Sequence, residues 1–285
     1  MENMANNRSV EPKVPVTIIQ PKKGWQLFDL KKLIQYRDLF YFLVVRSIKV
    51  RYKQTVLGGL WAIIQPFAAM VIFTIFFGRL AKIPSDNVPY PIFSYSAMIA
   101  WTYFSTAIRN SGFSLVGSQS LITKVYFPRI IIPIAPVIAG LLDFSIAFVV
   151  LIGMMLFYHI HPTALTAVLP LLIIVMVLTA SGVGSFLAAL NAKYRDIGYT
   201  IPFIIQFWLF ASPVVYPASM VPERFRMIYA LNPMVGVIEG FRSALLGTTA
   251  FPFKLILISA VISVFLFLLG AFYFKQMERY FADII

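Results

Sequence analysis

RYKQTVLGGLWAIIQP, residues 51–66, decides the fold class of this chain. It opens with Arg51, Tyr52 and Lys53 and then runs without a charge to Phe77, about 22 residues. At ~1.5 Å per helical residue such a run crosses a hydrocarbon layer ~30 Å thick. A dense cationic segment therefore becomes a membrane-spanning helix within a few positions. Lys and Arg beside a span hold that end on the cytoplasmic side. Gly58 and Gly59 are expected to let another helix approach closely. Pro66 removes a backbone donor and is expected to kink the helix.

Composition agrees. The 285 residues are 60% hydrophobic and 12% charged, with mean hydropathy +0.83. A soluble domain carries roughly 25% charged residues, so the chain reads as all-α and polytopic in a membrane. It has no Cys and only two His, His159 and His161, so a thiolate or histidine metal site is not expected. The net charge of +13 could suggest nucleic acid. Its distribution points elsewhere, because eleven Lys and Arg lie in residues 1–55, just before the first span, where they face anionic cytoplasmic lipid. No nucleic-acid recognition module accompanies them, so membrane lipid is the expected partner of this charge. No apolar core follows the first charges within ~30 residues, so no signal peptide is expected.

Outward from the opening stretch, residues 1–28 read as a polar, flexible cytoplasmic tail. Residues 29–53 read as an amphipathic helix in the cytoplasmic interface, with Leu33, Leu39, Leu43 and Ile48 on its apolar side. It could simply anchor, or it could also dock a cytoplasmic partner. Residues 54–285 then supply six spans, near 56–77, 92–113, 130–158, 164–190, 197–216 and 255–274. In span four, Gly182 and Gly184 with Ser181 and Ser185 suit close helix packing. Pro217, Pro222 and Pro233 cut the region after span five into pieces too short to cross, which reads as two half-inserted helices on the outer side. Six spans put both termini on one side. Eighteen Lys and Arg then fall inside and six outside, Arg242 among the six, so both termini are expected in the cytoplasm.

No G-x-x-x-x-G-K-[ST] loop, G-x-S-x-G or H-E-x-x-H occurs, so no nucleotide or hydrolase site is expected in this chain. The spans offer one acid, Asp143. An intramembrane acid is a functional candidate, although a lone Asp can equally bond a nearby Ser or backbone group. Trp101, Tyr103, Phe104, Phe207, Trp208, Phe210 and Tyr216 are the positive clue in spans two and five. Aromatic faces pack on the C–H faces of sugar rings and let a chain slide. Singly, each also fits a membrane-interface belt.

Together and in order, RYKQTVLGGLWAIIQP at 51–66, LITKVYFPR at 121–129, NAKYRDI at 191–197, FWLFASPVVYP at 207–217 and LNPMVGVIEGFRSALLG at 231–247 resemble the permease subunits of type-2 ATP-binding-cassette polysaccharide exporters, such as those for O-antigen, capsule and teichoic acid. The resemblance runs from about residue 30 onward. It implies a homodimer in a bacterial inner membrane, two copies of a nucleotide-binding ATPase subunit that carry the ATP and Mg2+, and a polysaccharide substrate that is lipid-linked. It implies a coupling helix at about 118–127, with Leu121, Lys124, Tyr126, Phe127 and Arg129 contacting the ATPase and Arg195 and Asp196 as a second contact or a local ion pair. It also implies outer gate helices at about 218–247. The expected substrate pathway is lined by Trp101, Tyr103, Phe104, Phe207, Trp208 and Tyr216. Other readings remain: an exporter of lipid or drug with this architecture, or a proton-coupled flippase using Asp143.

Overall fold

The computed structural model describes residues 34–53, 55–247 and 250–281. The expected tail at 1–28 and the first turn of the expected interface helix lie outside them. The described residues form ten α-helices and no strands.

Helix α1 (Arg37–Tyr52) packs through the buried Leu43 against Ile131 and Ala135. Span one follows as one continuous rod, Gly58–Leu80. A 3-10 turn (Gly58–Leu60) opens it, α2 (Trp61–Phe73) continues it, and a π-helical stretch (Thr74–Leu80) closes it. Pro66 sits inside α2 without ending it. Gly58 has φ +49° with open space around it, so it serves the turn into the span and not a close helix approach. After α3 (Tyr90–Phe113) comes the short α4 (Gln119–Lys124), then α5 (Ile131–Phe157), α6 (Leu169–Lys193) and α7 (Ile197–Phe210). Two short helices, α8 (Glu223–Tyr229) and α9 (Pro233–Leu246), precede α10 (Phe253–Met277).

Among the described residues, four helical stretches are long and apolar enough to cross a membrane: Gly58–Leu80, Ile131–Phe157, Ala164–Lys193 and Phe253–Met277. The chain is an all-α, polytopic membrane protein. Helix α3 has the length, 24 residues, but carries more Ser, Thr and Asn. Burial explains this: α3 stands at the centre, with Ile92, Phe93, Tyr95, Ile99, Phe104 and Ile108 all at 0–1% exposure. A helix surrounded by protein needs no lipid-compatible outside. Helix α7 is short at 14 residues, ~21 Å, and stops at Phe210, where span five was expected to run to 216.

The closest helix contact is α6 against α10. A Cβ built on Gly182 would lie 2.5 Å from Phe267 Cα, and one on Gly270 would lie 2.0 Å from the Gly182 carbonyl oxygen. Thr179 Oγ1 donates to Ser263 Oγ at 2.8 Å just along the same seam. This is the small-residue packing expected of span four, and it lets two backbones touch where lipid supplies no hydrophobic drive. Gly182→Ala is therefore expected to lower the thermal unfolding midpoint in detergent. Gly153→Ala, where nothing lies within 4 Å, is expected to be neutral or slightly stabilising through helix propensity. Equal midpoints for the two variants would contradict the seam.

Candidate functional site

Three places gather polar or aromatic groups: the irregular segment after α7, the short α4 with its flanks, and the start of span one.

After α7 the backbone leaves helical geometry, yet Ser212, Pro213, Val214 and Val215 are buried. Such backbone is tolerated at membrane depth only where protein satisfies it. Here side chains from other elements satisfy several of its polar groups. Asn232 Nδ2 donates to the Ala211 carbonyl at 2.8 Å and to Ser212 Oγ at 2.9 Å. Arg242 Nη2 donates to the Val214 carbonyl at 2.8 Å, and Tyr90 Oη to the Val215 carbonyl at 2.7 Å. The Ala218 amide donates to Glu239 Oε1 at 3.2 Å. Asn232 also caps α9 by accepting from the Met234 amide, and it accepts from Trp208 Nε1 at 2.8 Å. One asparagine thus ties α7, the broken segment and α9.

Arg242 is the centre of this network. It is fully buried, pairs with Glu239 Oε1 at 3.0 Å, and lays its guanidinium 3.6 Å from the centre of the Phe93 ring. Arg242, expected among the outer charges, lies buried in the subunit core and not in an exposed loop. All 14 residues of α9 are buried, so α9 forms a wall and not an exposed flap. Only α8 of the expected gate pair stands outside the core, with Met227 and Ile228 exposed. The legible signal was an acid and a base three positions apart, Glu239 and Arg242, inside an otherwise apolar helix.

The six expected pathway aromatics separate by burial. Trp101, Tyr103 and Phe104 are 5%, 4% and 1% exposed within the subunit. Tyr103 Oη donates to the Val137 carbonyl, and Phe104 meets Trp208 edge to face at 5.0 Å. These three hold α3 in place, and rings so enclosed do not present a face to a passing chain. Trp208 is half-buried and spends its ring N–H on Asn232. Tyr216 is half-buried and accepts from Tyr229 Oη at 3.1 Å. Phe207 is open, 76% exposed, on the same side of α7 as the exposed Phe203 and Phe210.

Around α4 the expected contact residues also divide. Lys124 is exposed and Tyr126 is 78% exposed. Leu121 is half-buried beneath them. Phe127 turns inward, 2% exposed, among Leu115, Ile122, Phe274 and Phe281. A side chain so enclosed cannot fill a cleft in another protein, so the expectation for Phe127 gives way. Arg129 is likewise spent internally: its Nη1 donates to the Glu278 carbonyl at 2.8 Å and its amide to Glu278 Oε1 at 3.1 Å. Arg195 and Asp196 are exposed and form no ion pair with each other among the described residues.

Asp143 is not alone. It forms an ion pair with Arg51 and accepts from Tyr52 Oη. Both partners stand at the end of α1, so the carboxylate on α5 clamps the chain just before span one begins.

Comparison with known proteins agrees with this architecture. Residues 38–246 match the family model described as ABC-2 type transporter. The chain is 26% identical over 259 residues, 90% of its length and 98% of the relative's, to a Myxococcus xanthus protein named O-antigen export system permease protein RfbA. A Klebsiella pneumoniae protein of the same name is 28% identical, covering 87% of this chain and 95% of that one. The Escherichia coli polysialic acid transport protein KpsM is 25% identical over 72% of this chain and 80% of its own. The matched region runs from α1 to the end of α9, and the chain belongs to the ABC-2 type transporter family.

Proposed function

We propose that this chain is the membrane permease subunit of an ATP-driven exporter of polysaccharide, O-antigen-like and lipid-linked. It works as a homodimer with two copies of a separate ATP-binding subunit. The carrying observation is that relatives named for O-antigen export align over 87–90% of this chain and nearly all of their own length. The chain sits in a bacterial inner membrane, crosses it six times and keeps both ends in the cytoplasm. ATP and Mg2+ bind the partner.

Several features support the reading. The exposed Lys124 and Tyr126 beside a six-residue helix suit docking into an ATPase subunit. Span one and α7 expose Trp61, Phe67, Phe203, Phe207 and Phe210, a surface suited to a second subunit or lipid. The pathway assigned here draws on Phe207 of α7 and on Tyr216 of the segment after it, with Trp208 fixing α7. Trp101, Tyr103 and Phe104 support it from behind.

The test of the assembly is ATP turnover. The purified chain alone should hydrolyse no ATP and should gain turnover with its partner subunit; hydrolysis by this chain alone would sink the reading. The pathway has its own test. Phe207→Ala should cut polymer export while the complex still assembles. Phe104→Ala should instead destabilise the subunit by about 3–5 kcal/mol, as buried Phe truncations do. Normal export by Phe207→Ala and Tyr216→Ala at normal expression would remove the aromatic pathway.

A further inference from the structure

A cavity of about 340 Å3 lies between the end of α1, span one, α3 and α5. Its walls follow helical register. From α3 come Ile99, Thr102, Tyr103, Thr106, Arg109 and Asn110; from span one come Gly58, Trp61, Ala62 and Gln65. Positions spaced i, i+3, i+4 and i+7 share one face, so each helix turns a single stripe to this space. On α3 that stripe is the polar one, although the helix is otherwise packed in apolar core. The Arg51–Asp143 pair closes a third side.

The lining carries donors at its mouth and walls: Arg109 and Gln65 are exposed, and Thr102, Thr106 and Asn110 are half-buried. Among the described residues, the side chains of Thr102, Thr106, Arg109, Asn110 and Gln65 have no hydrogen-bond or ion-pair partner within the protein. The cavity's charged groups are two guanidiniums, Arg51 and Arg109, and one carboxylate, Asp143. Asp143 already answers Arg51, which leaves Arg109 uncompensated. A cleft with low-dielectric walls focuses that excess field. Guanidinium matches oxyanions in planar, bidentate fashion. The volume stands at the small end of ligand sites, so it suits a headgroup and not a length of polymer.

We propose that this cavity is a binding site for a phosphate-type oxyanion. Arg109 is its primary cation, and Asn110, Thr106 and Gln65 donate to it. Arg51 is a second cation for which the ligand competes with Asp143. The apolar end, at Ile99, Phe144 and Ala147, accommodates whatever carbon the oxyanion bears. This goes beyond the export reading and stands without it, because binding is measured with no transport and no partner.

The experiment is calorimetric titration of the full chain in nonionic detergent at low ionic strength, with two probes: sodium pyrophosphate and dihexanoyl phosphatidic acid. Saturable binding of both means that the phosphate group suffices. Binding of the lipid alone means that the headgroup must arrive on an acyl chain. In either case Arg109→Gln should weaken binding by about tenfold or more, the loss of one charge-assisted contact. Asp143→Asn, which keeps an acceptor for Tyr52, should tighten binding by freeing Arg51, an opposite sign that damage to the fold would not produce. Should Asp143→Asn fail to fold, Arg109→Gln and Gln65→Ala decide the matter. Three outcomes overturn the site: no saturable binding of either probe, equal affinity in wild type and Arg109→Gln, or unchanged or weaker binding by a folded Asp143→Asn.

Discussion

Arg242→Met should destabilise the subunit by about 3–5 kcal/mol, because it leaves a buried charge without its partner. Methionine has similar length and no donors. Glu239, 4% exposed, would lose its counter-ion. The Val214 carbonyl would lose a 2.8 Å hydrogen bond in a segment that water does not reach. The contact with the Phe93 ring would go as well. Arg242→Lys should fall between, since an ammonium keeps the charge but cannot fork to Glu239 and Val214 together. Glu239→Gln alone should cost less than Arg242→Met, because the amide oxygen can still accept from the Ala218 N–H. In the double variant no unpaired charge remains, so its loss should be smaller than the sum of the two singles. Reversible unfolding in mixed micelles gives all four values. A loss under about 1 kcal/mol for Arg242→Met would show that water or another group satisfies this site, and would contradict the burial argument.

That network shows why part of the chain was legible and part was not. Length and apolarity alone mark Gly58–Leu80, Ile131–Phe157, Ala164–Lys193 and Phe253–Met277, because lipid demands ~20 apolar residues and the chain supplies them. The small residues around Gly182 read as a packing seam because lipid-embedded helices need close backbones, and they form one. Hydropathy misplaces Arg242 for a different reason. Its partners are Val214, 28 residues away, and Phe93, 149 away. Glu239, three positions away, is the one local sign of burial, and the distant broken backbone that Arg242 satisfies leaves no trace beside it. The same limit applies to α3. Ser, Thr and Asn on a span suggest a marginal helix until the neighbours that enclose it are known, and those come from α5 and α6. Trp101, Tyr103 and Phe104 look like pathway residues by type. The position of α3 at the centre of the subunit makes them core.

Tyr126 and Phe127 carry the second large effect, and they should behave oppositely although they are neighbours. Helix α4 ends at Lys124, and Val125 is extended, at φ −131° and ψ 134°. In extended backbone successive side chains point to opposite sides. Tyr126 accordingly faces out, and Phe127 enters the cluster with Leu115, Ile122, Phe274 and Phe281. Phe127→Ala opens a hole where α4 meets the end of α10, and buried Phe truncation costs about 3–5 kcal/mol. Its export should fall because less folded subunit reaches the membrane, with ATP turnover and export reduced in step. Tyr126→Ala removes almost no buried area. The Tyr126 carbonyl, which receives a long 3.5 Å bond from Tyr36 Oη, is main chain and survives. Unfolding midpoint and expression should match wild type; if the exposed ring meets the ATPase subunit, as proposed, ATP turnover by the assembled complex should persist while export drops. The ratio of export to ATP turnover separates the two effects: unchanged for Phe127→Ala, lowered for Tyr126→Ala. Wild-type export by Tyr126→Ala would remove this segment from the coupling surface. Wild-type stability of Phe127→Ala would mean that the cluster beneath α4 is not the packed core it forms here.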